Sequence, residues 1–124
     1  MEHYRYSSRR SSALLIGVAL LVLLSACSDR APPLGRGLPE TFGPTAPYFD
    51  TRLKERFPVG SDATRLLTEL RNEGFAVKGD REPNQFSARY QAHGLVCKKS
   101  WTVYWTAEQG KIAAISGSHN QACL

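Results

Sequence analysis

Three cysteines and three histidines hold most of the latent chemistry of this 124-residue chain. His93 and Cys97 are spaced H-x-x-x-C, and His119 and Cys123 repeat that spacing. Residues four apart on a strand share a face, so two imidazoles and two thiolates could hold zinc tetrahedrally, although neither pair has a tight C-x-x-C knuckle. Ser116, Ser118 and His119 offer a nucleophile and a base, but no G-x-S-x-G elbow accompanies them. No phosphate loop, dinucleotide fingerprint or H-E-x-x-H is present. Glu69 and Glu73 stand among Arg65 and Arg71 and read as a solvated helix face, not as paired catalytic carboxylates. The sequence predicts no enzyme, no cofactor and no metal centre.

Cys27 has a different context. It ends the run Leu24-Ser25-Ala26-Cys27, after Arg5, Arg9 and Arg10 and an apolar stretch of 12 residues from Ala13 to Leu24. A membrane-spanning helix needs about 20 apolar residues, so this stretch suits a signal-peptide core better. The arrangement resembles the N-terminus of bacterial lipoproteins, with the four residues matching the lipobox. That resemblance implies a signal peptide over 1–26, a diacylglyceryl group on Cys27, cleavage before it, and acylation of the new terminus with a palmitate-type chain. Two other readings exist. One is an ordinary signal peptide cut near Ala26. The other is a transmembrane helix running past Cys27, which Asp29, Arg30 and the following prolines oppose. Ser8-Arg9-Arg10 lacks the Phe-Leu of a twin-arginine signal. Three acyl chains would hold the protein on the bilayer permanently. Ser28 in place of Asp after the lipidated Cys implies, by the enterobacterial sorting pattern, the outer membrane, with the domain facing the periplasm.

With Cys27 given to lipid by that resemblance, Cys97 and Cys123 remain as an even pair in an oxidising compartment. A disulfide between them is predicted, with zinc as the alternative. It would close a loop of about 26 residues and stabilise the fold by ~3.5 kcal/mol at most.

Beyond Cys27 there are 13 basic and 10 acidic residues, so the +5 of the whole chain owes much to the leader. This balance is not a nucleic-acid signature. Residues 27–47, rich in Pro and Gly, are predicted to be a flexible tether, with docking of Leu34, Leu38 and Phe42 on a partner as the alternative. Residues 48–124 are predicted to form one small domain. Phe49, Leu53 and Phe57 recur at i, i+4 and i+8, giving a helix over 48–57 that Pro58 ends. A second helix over 61–73 has Ser61 as N-cap, Ala63, Leu66, Leu67 and Leu70 as its apolar stripe and Gly74 at C′. Residues 78–84 read as a polar loop. After it the period becomes two, with Phe86, Ala88, Tyr90 and Ala92 on one strand and Cys97, Trp101, Val103 and Trp105 on the next, Lys99 among them. Residues 107–110 form a hairpin loop, and a returning strand over 111–118 needs a bulge to bring Ile112 and Ile115 to one face. Residues from Gly117 onward read as loop.

The predicted fold class is α+β, with two helices packed on the Trp101/Trp105 face of a three- or four-stranded antiparallel sheet. The element order is similar to that of the SmpA/BamE-like lipoproteins of outer-membrane barrel assembly and of the β-lactamase-inhibitor repeat unit. Gly60-Ser61-Asp62 opens the helix, Leu66 and Leu70 hold apolar positions, and Gly74 follows, while Phe75 stands where that family has a proline turn. This resemblance implies the fold and transfers no partner residue. The expected role is a lipid-anchored, non-catalytic binding module of the cell envelope, with an envelope protein as partner and no nucleic acid. The candidate binding face is Arg89, Lys98 and Tyr104, and an uncovered edge strand is a second means of docking. The alternative is an inhibitor of a lysozyme- or β-lactamase-type enzyme, acting through loops at 81–84 or 118–121.

Overall fold

The computed structural model describes residues 30–42, 47–79 and 82–124. The predicted signal peptide, the predicted lipid site at Cys27 and parts of the predicted tether (27–29 and 43–46) lie outside the described residues. Helix α1 spans Tyr48–Arg56 and α2 spans Ala63–Asn72, followed by strands β1 (Ala76–Gly79), β2 (Gln85–His93), β3 (Cys97–Glu108) and β4 (Lys111–Cys123). The strands form an antiparallel meander in the order β1-β2-β3-β4. The architecture is α+β, with two helices and a four-stranded antiparallel sheet. Among the described residues no helix is long and apolar enough to cross a membrane.

The stripe Phe49, Leu53 and Phe57 is buried against the sheet. The N-cap of α2 is Asp62, whose Oδ1 accepts the Thr64 N–H at 2.8 Å, and not Ser61. Ser61 is held in a loop pairing with β4, where its carbonyl accepts the Ile112 N–H at 2.9 Å. At the other end of α2 the Gly74 N–H donates to the Arg71 carbonyl and the Phe75 N–H to the Leu70 carbonyl. These two bonds close a Schellman turn, and Phe75 then packs 5.6 Å from the Tyr90 ring.

The predicted loop begins two residues later than expected. Ala76–Gly79 pairs with Phe86–Arg89 and supplies the fourth strand. The β3–β4 hairpin turns on Gln109 and Gly110, both at positive φ, as a two-residue type I′ turn requires. The register then slips so that Thr106 faces Ala114 while Ala107 faces Ile112. Ala113 is the extra residue, and Ile112 and Ile115 both reach the core.

β4 does not stop at Gly117 but pairs with β3 as far as Cys123. The glycine signals close packing, not a break. A Cβ at Gly117 would lie 2.4 Å from Leu53 Cδ1 and 2.9 Å from Phe49 Cδ1, so α1 crosses β4 at backbone distance. The residues beyond it have low strand propensity, but the opposed pair Cys97 and Cys123 is joined by a disulfide that holds their register.

The main departure from the sequence reading is the tether. Residues 30–42 lie against the domain as a strap. Pro32, Leu34 and Gly35 are buried, and Ala31 and Leu38 pack on the core. The Leu34 N–H donates to Glu73 Oε2 at 2.9 Å, and Arg52 Nη1 donates to the Leu34 carbonyl at 3.2 Å and to the Arg36 carbonyl. Lys99 Nζ meets Glu40 Oε1 at 2.7 Å, which accounts for a lysine on the core face of β3. Gly35 rests on the Trp101 indole, where a Cβ would come 2.6 Å from Nε1. Leu34, Leu38 and Phe42 thus dock on their own domain. A segment too poor in apolar residues to fold alone still covers a sheet face that two short helices leave open.

Candidate functional site

Side chains alternate across a strand, so the residues facing away from the helices follow from the register. One row runs Ala76, Arg89, Thr102, Ser118, and the next runs Lys78, Ser87, Tyr104, Ser116. Lys78, Ser87, Arg89, Gln91, Thr102 and Tyr104, with Gly74 and Ala76, line a shallow cleft of about 530 Å³ on this open face. Thr102 forms part of its floor and is 4% exposed although no helix covers it. Tyr104 stands out, 45% exposed.

The predicted trio divides. Arg89 and Tyr104 line the same cleft, whereas Lys98 pairs with His93, four residues along β2, about 13 Å away. Lys78 takes the place beside Arg89 that the sequence reading left empty. Its signal was the alternation Phe75, Ala76, Val77, Lys78, cut short by Gly79 and so read as loop.

Charge is segregated by face. Among the described residues, from the His93–Lys98 pair to the Gln85–Thr106 pair, the open face carries Lys78, Arg89 and Lys98 and no carboxylate. Glu108 stands at the hairpin end opposite Lys111. Other carboxylates are engaged on the helix side, Asp50 with Lys54, Glu69 with Arg56 and Glu40 with Lys99.

The edges offer less than expected. At β4, the Gly117 N–H donates to Asp50 Oδ1 at 3.0 Å, and the loop before α2 pairs with Gly110 and Ile112. The opposite edge, β1, is four residues long. Both features discourage strand addition where they act, and from Ser118 to Cys123 the outer edge of β4 has no strand beside it among the described residues.

The other weighed constellations are not assembled. Ser116 and Ser118 face outward while His119 faces the core, by strand alternation. His93 lies on the opposite face of the sheet from His119, and Cys97 and Cys123 are bonded to each other. Among the described residues no three His, Cys, Asp or Glu converge to hold a metal. The predicted inhibitor loop at 118–121 is part of β4, and Arg81 of the other lies outside the described residues.

His119 is 8% exposed. It stacks on Trp101 with centroids 4.4 Å apart and meets the edge of Phe42 at 4.7 Å. Its Nε2 has no hydrogen-bond partner among the described residues. Burial, and then the Lys99 cation, lower its pKa below the usual 6.5, with Glu40 opposing. It reads as a neutral packing residue under the strap.

Comparison with known protein families, curated proteins and solved structures finds no match for this chain.

Proposed function

We propose that this chain is a lipid-anchored lipoprotein of the cell envelope, held at the outer membrane through Cys27 and facing the periplasm. It acts as a non-catalytic binding module whose open sheet face takes a partner with an acidic surface. One observation carries the reading. Lys78 and Arg89 line a cleft with Tyr104, on a face with no carboxylate among the described residues over the rows from His93–Lys98 to Gln85–Thr106. Opposed potentials steer encounter and reject partners of like charge. Tyr and Arg are also the side chains that most often dominate binding energy. The leader and lipobox resemblance supports the address.

The test is crosslinking in the native envelope, then capture and mass spectrometry, on wild type, Arg89→Ala with Tyr104→Ala, and Lys78→Ala. Lys54→Ala on α1 is the control. The cleft variants are expected to lose the wild-type partner about tenfold or more, with capture falling as salt rises. Equal capture by every variant removes this face from consideration. Intact mass with and without Cys27→Ser tests the acylation separately.

A further inference from the structure

One end of the sheet presents apolar side chains to solvent. Leu95 is 100% exposed and Val96 62% exposed in the β2–β3 turn, and Leu124 at the end of β4 is fully exposed. They form one tip. The Leu124 N–H donates to the Val96 carbonyl at 3.0 Å, and the Cys97–Cys123 bridge joins the strand ends one residue inward. The Gly94 N–H closes the turn on the Cys97 carbonyl at 2.9 Å. Lys98 stands beside the tip, opposite His93, with no ion-pair partner among the described residues. The nearest strap carboxylate, Glu40, is bonded to Lys99.

The strap lies over the same end. Inward from the tip, the core-face rows are Cys97 with Cys123, then Ala92, Lys99 and Gln121, then Tyr90, Trp101 and His119. Glu40 holds Lys99, Gly35 lies on Trp101 and Phe42 lies on His119. The strap therefore covers the tip half of the sheet, while α1 covers the next row at Gly117. Ala31 packs on the core and Pro32 is buried, three residues before Gly35 on Trp101. Only Ser28 and Asp29 separate Arg30 from Cys27, a reach of at most about 11 Å.

We infer that the Leu95–Val96–Leu124 tip dips into the headgroup region of the phospholipid bilayer, with Lys98 among anionic headgroups, so that the sheet stands upright and its open face looks sideways. The inference rests on the lipid-anchor reading of Cys27. Once the anchor holds the domain at the surface, a second contact is intramolecular, and weak insertion suffices. Exposed apolar side chains with a basic neighbour are the pattern of interfacial anchors. Against solvent the same patch would be an association liability.

The experiment uses the full chain, produced with its N-terminus intact in a bacterial host and reconstituted into phosphatidylglycerol-containing vesicles with brominated acyl chains. Trp101 and Trp105 are buried and give a low quenching background. Leu95→Trp should be quenched at least twofold more than wild type and blue-shifted. Val59→Trp, at a site 67% exposed in the turn that pairs with the hairpin end, should match wild type. Flotation with the vesicles, compared with Cys27→Ser, reports the anchor independently. Flotation with Leu95→Trp quenched no more than Val59→Trp overturns the tip and leaves the anchor standing. Absence of flotation by the wild-type chain overturns the anchor and the tip with it. Sedimentation showing a dimer that Leu95→Asp dissociates assigns the patch to a second copy and also overturns the inference.

Discussion

At the residue scale, the ionisation of His119 bears on the stability of the fold. It is buried between Trp101 and Phe42, beside the Lys99–Glu40 pair. Burial first, and the Lys99 cation second, hold its pKa below 6.5, so the folded state disfavours the proton that the unfolded chain accepts. His119 thus contributes fully above pH 6.5, and its contribution is lost as pH falls through the lower, folded value. Urea midpoints should fall between pH 8 and pH 5 in wild type, and His119→Phe should flatten that fall while keeping an aromatic surface for Phe42 and Trp101. A profile as steep in His119→Phe as in wild type would assign the effect to another group. None of this was legible beforehand. A histidine in a run of Gly, Ser and Asn reads as loop, and its burial depends on a strap some 80 residues earlier in the chain.

At the scale of elements, the helices and long strands were readable because their information is local. The stripes Phe49–Leu53–Phe57 and Leu66–Leu70, the alternation from Phe86 to Ala92, and the bulge implied by Ile112 and Ile115 each show in a short window. β1 was too short to repeat its period, and the strap has none. Its order comes from complementarity to distant groups, chiefly Glu73, Arg52 and Trp101. Glu73 permits a sharp test. Burial is the main cause that raises its pKa, and the Leu34 N–H opposes the rise. The charge is therefore a cost, and the acceptor is what holds the strap. Glu73→Gln keeps an acceptor oxygen and drops the charge, so its unfolding free energy should equal or exceed wild type. Glu73→Ala leaves the Leu34 N–H unpaired and should lose about 1–2 kcal/mol, with faster amide exchange confined to the strap. Equal loss in both variants would mean that the charge itself matters.

At the scale of the whole molecule, the domain has two ends secured by different means. At the hairpin end β4 is held by α1 over Gly117, by Asp50 on its edge and by the loop before α2. At the tip end it runs from Ser118 to Cys123 with, among the described residues, only β3 beside it and the strap above, and the Cys97–Cys123 bridge terminates it. A crosslink spanning 26 residues removes chain entropy from the unfolded state worth ~3.5 kcal/mol at most. That loss falls on the whole molecule, but the structural consequence need not. Replacing both cysteines with Ser should lower the unfolding free energy by about 2–3 kcal/mol, read as a lower urea midpoint. Amide protection should vanish at 119–123 and 97–101 and in the strap, while 105–115 and both helices keep theirs. Uniform loss of protection would instead mean that the sheet opens as one unit and that the bridge acts through the unfolded chain alone. The same variant bears on orientation, because the bridge joins the two chain segments that carry Leu95, Val96 and Leu124. A tip that frays no longer presents one apolar patch, so the anchored double-serine protein with Leu95→Trp should show weaker and broader quenching by brominated lipid than its disulfide-bonded counterpart.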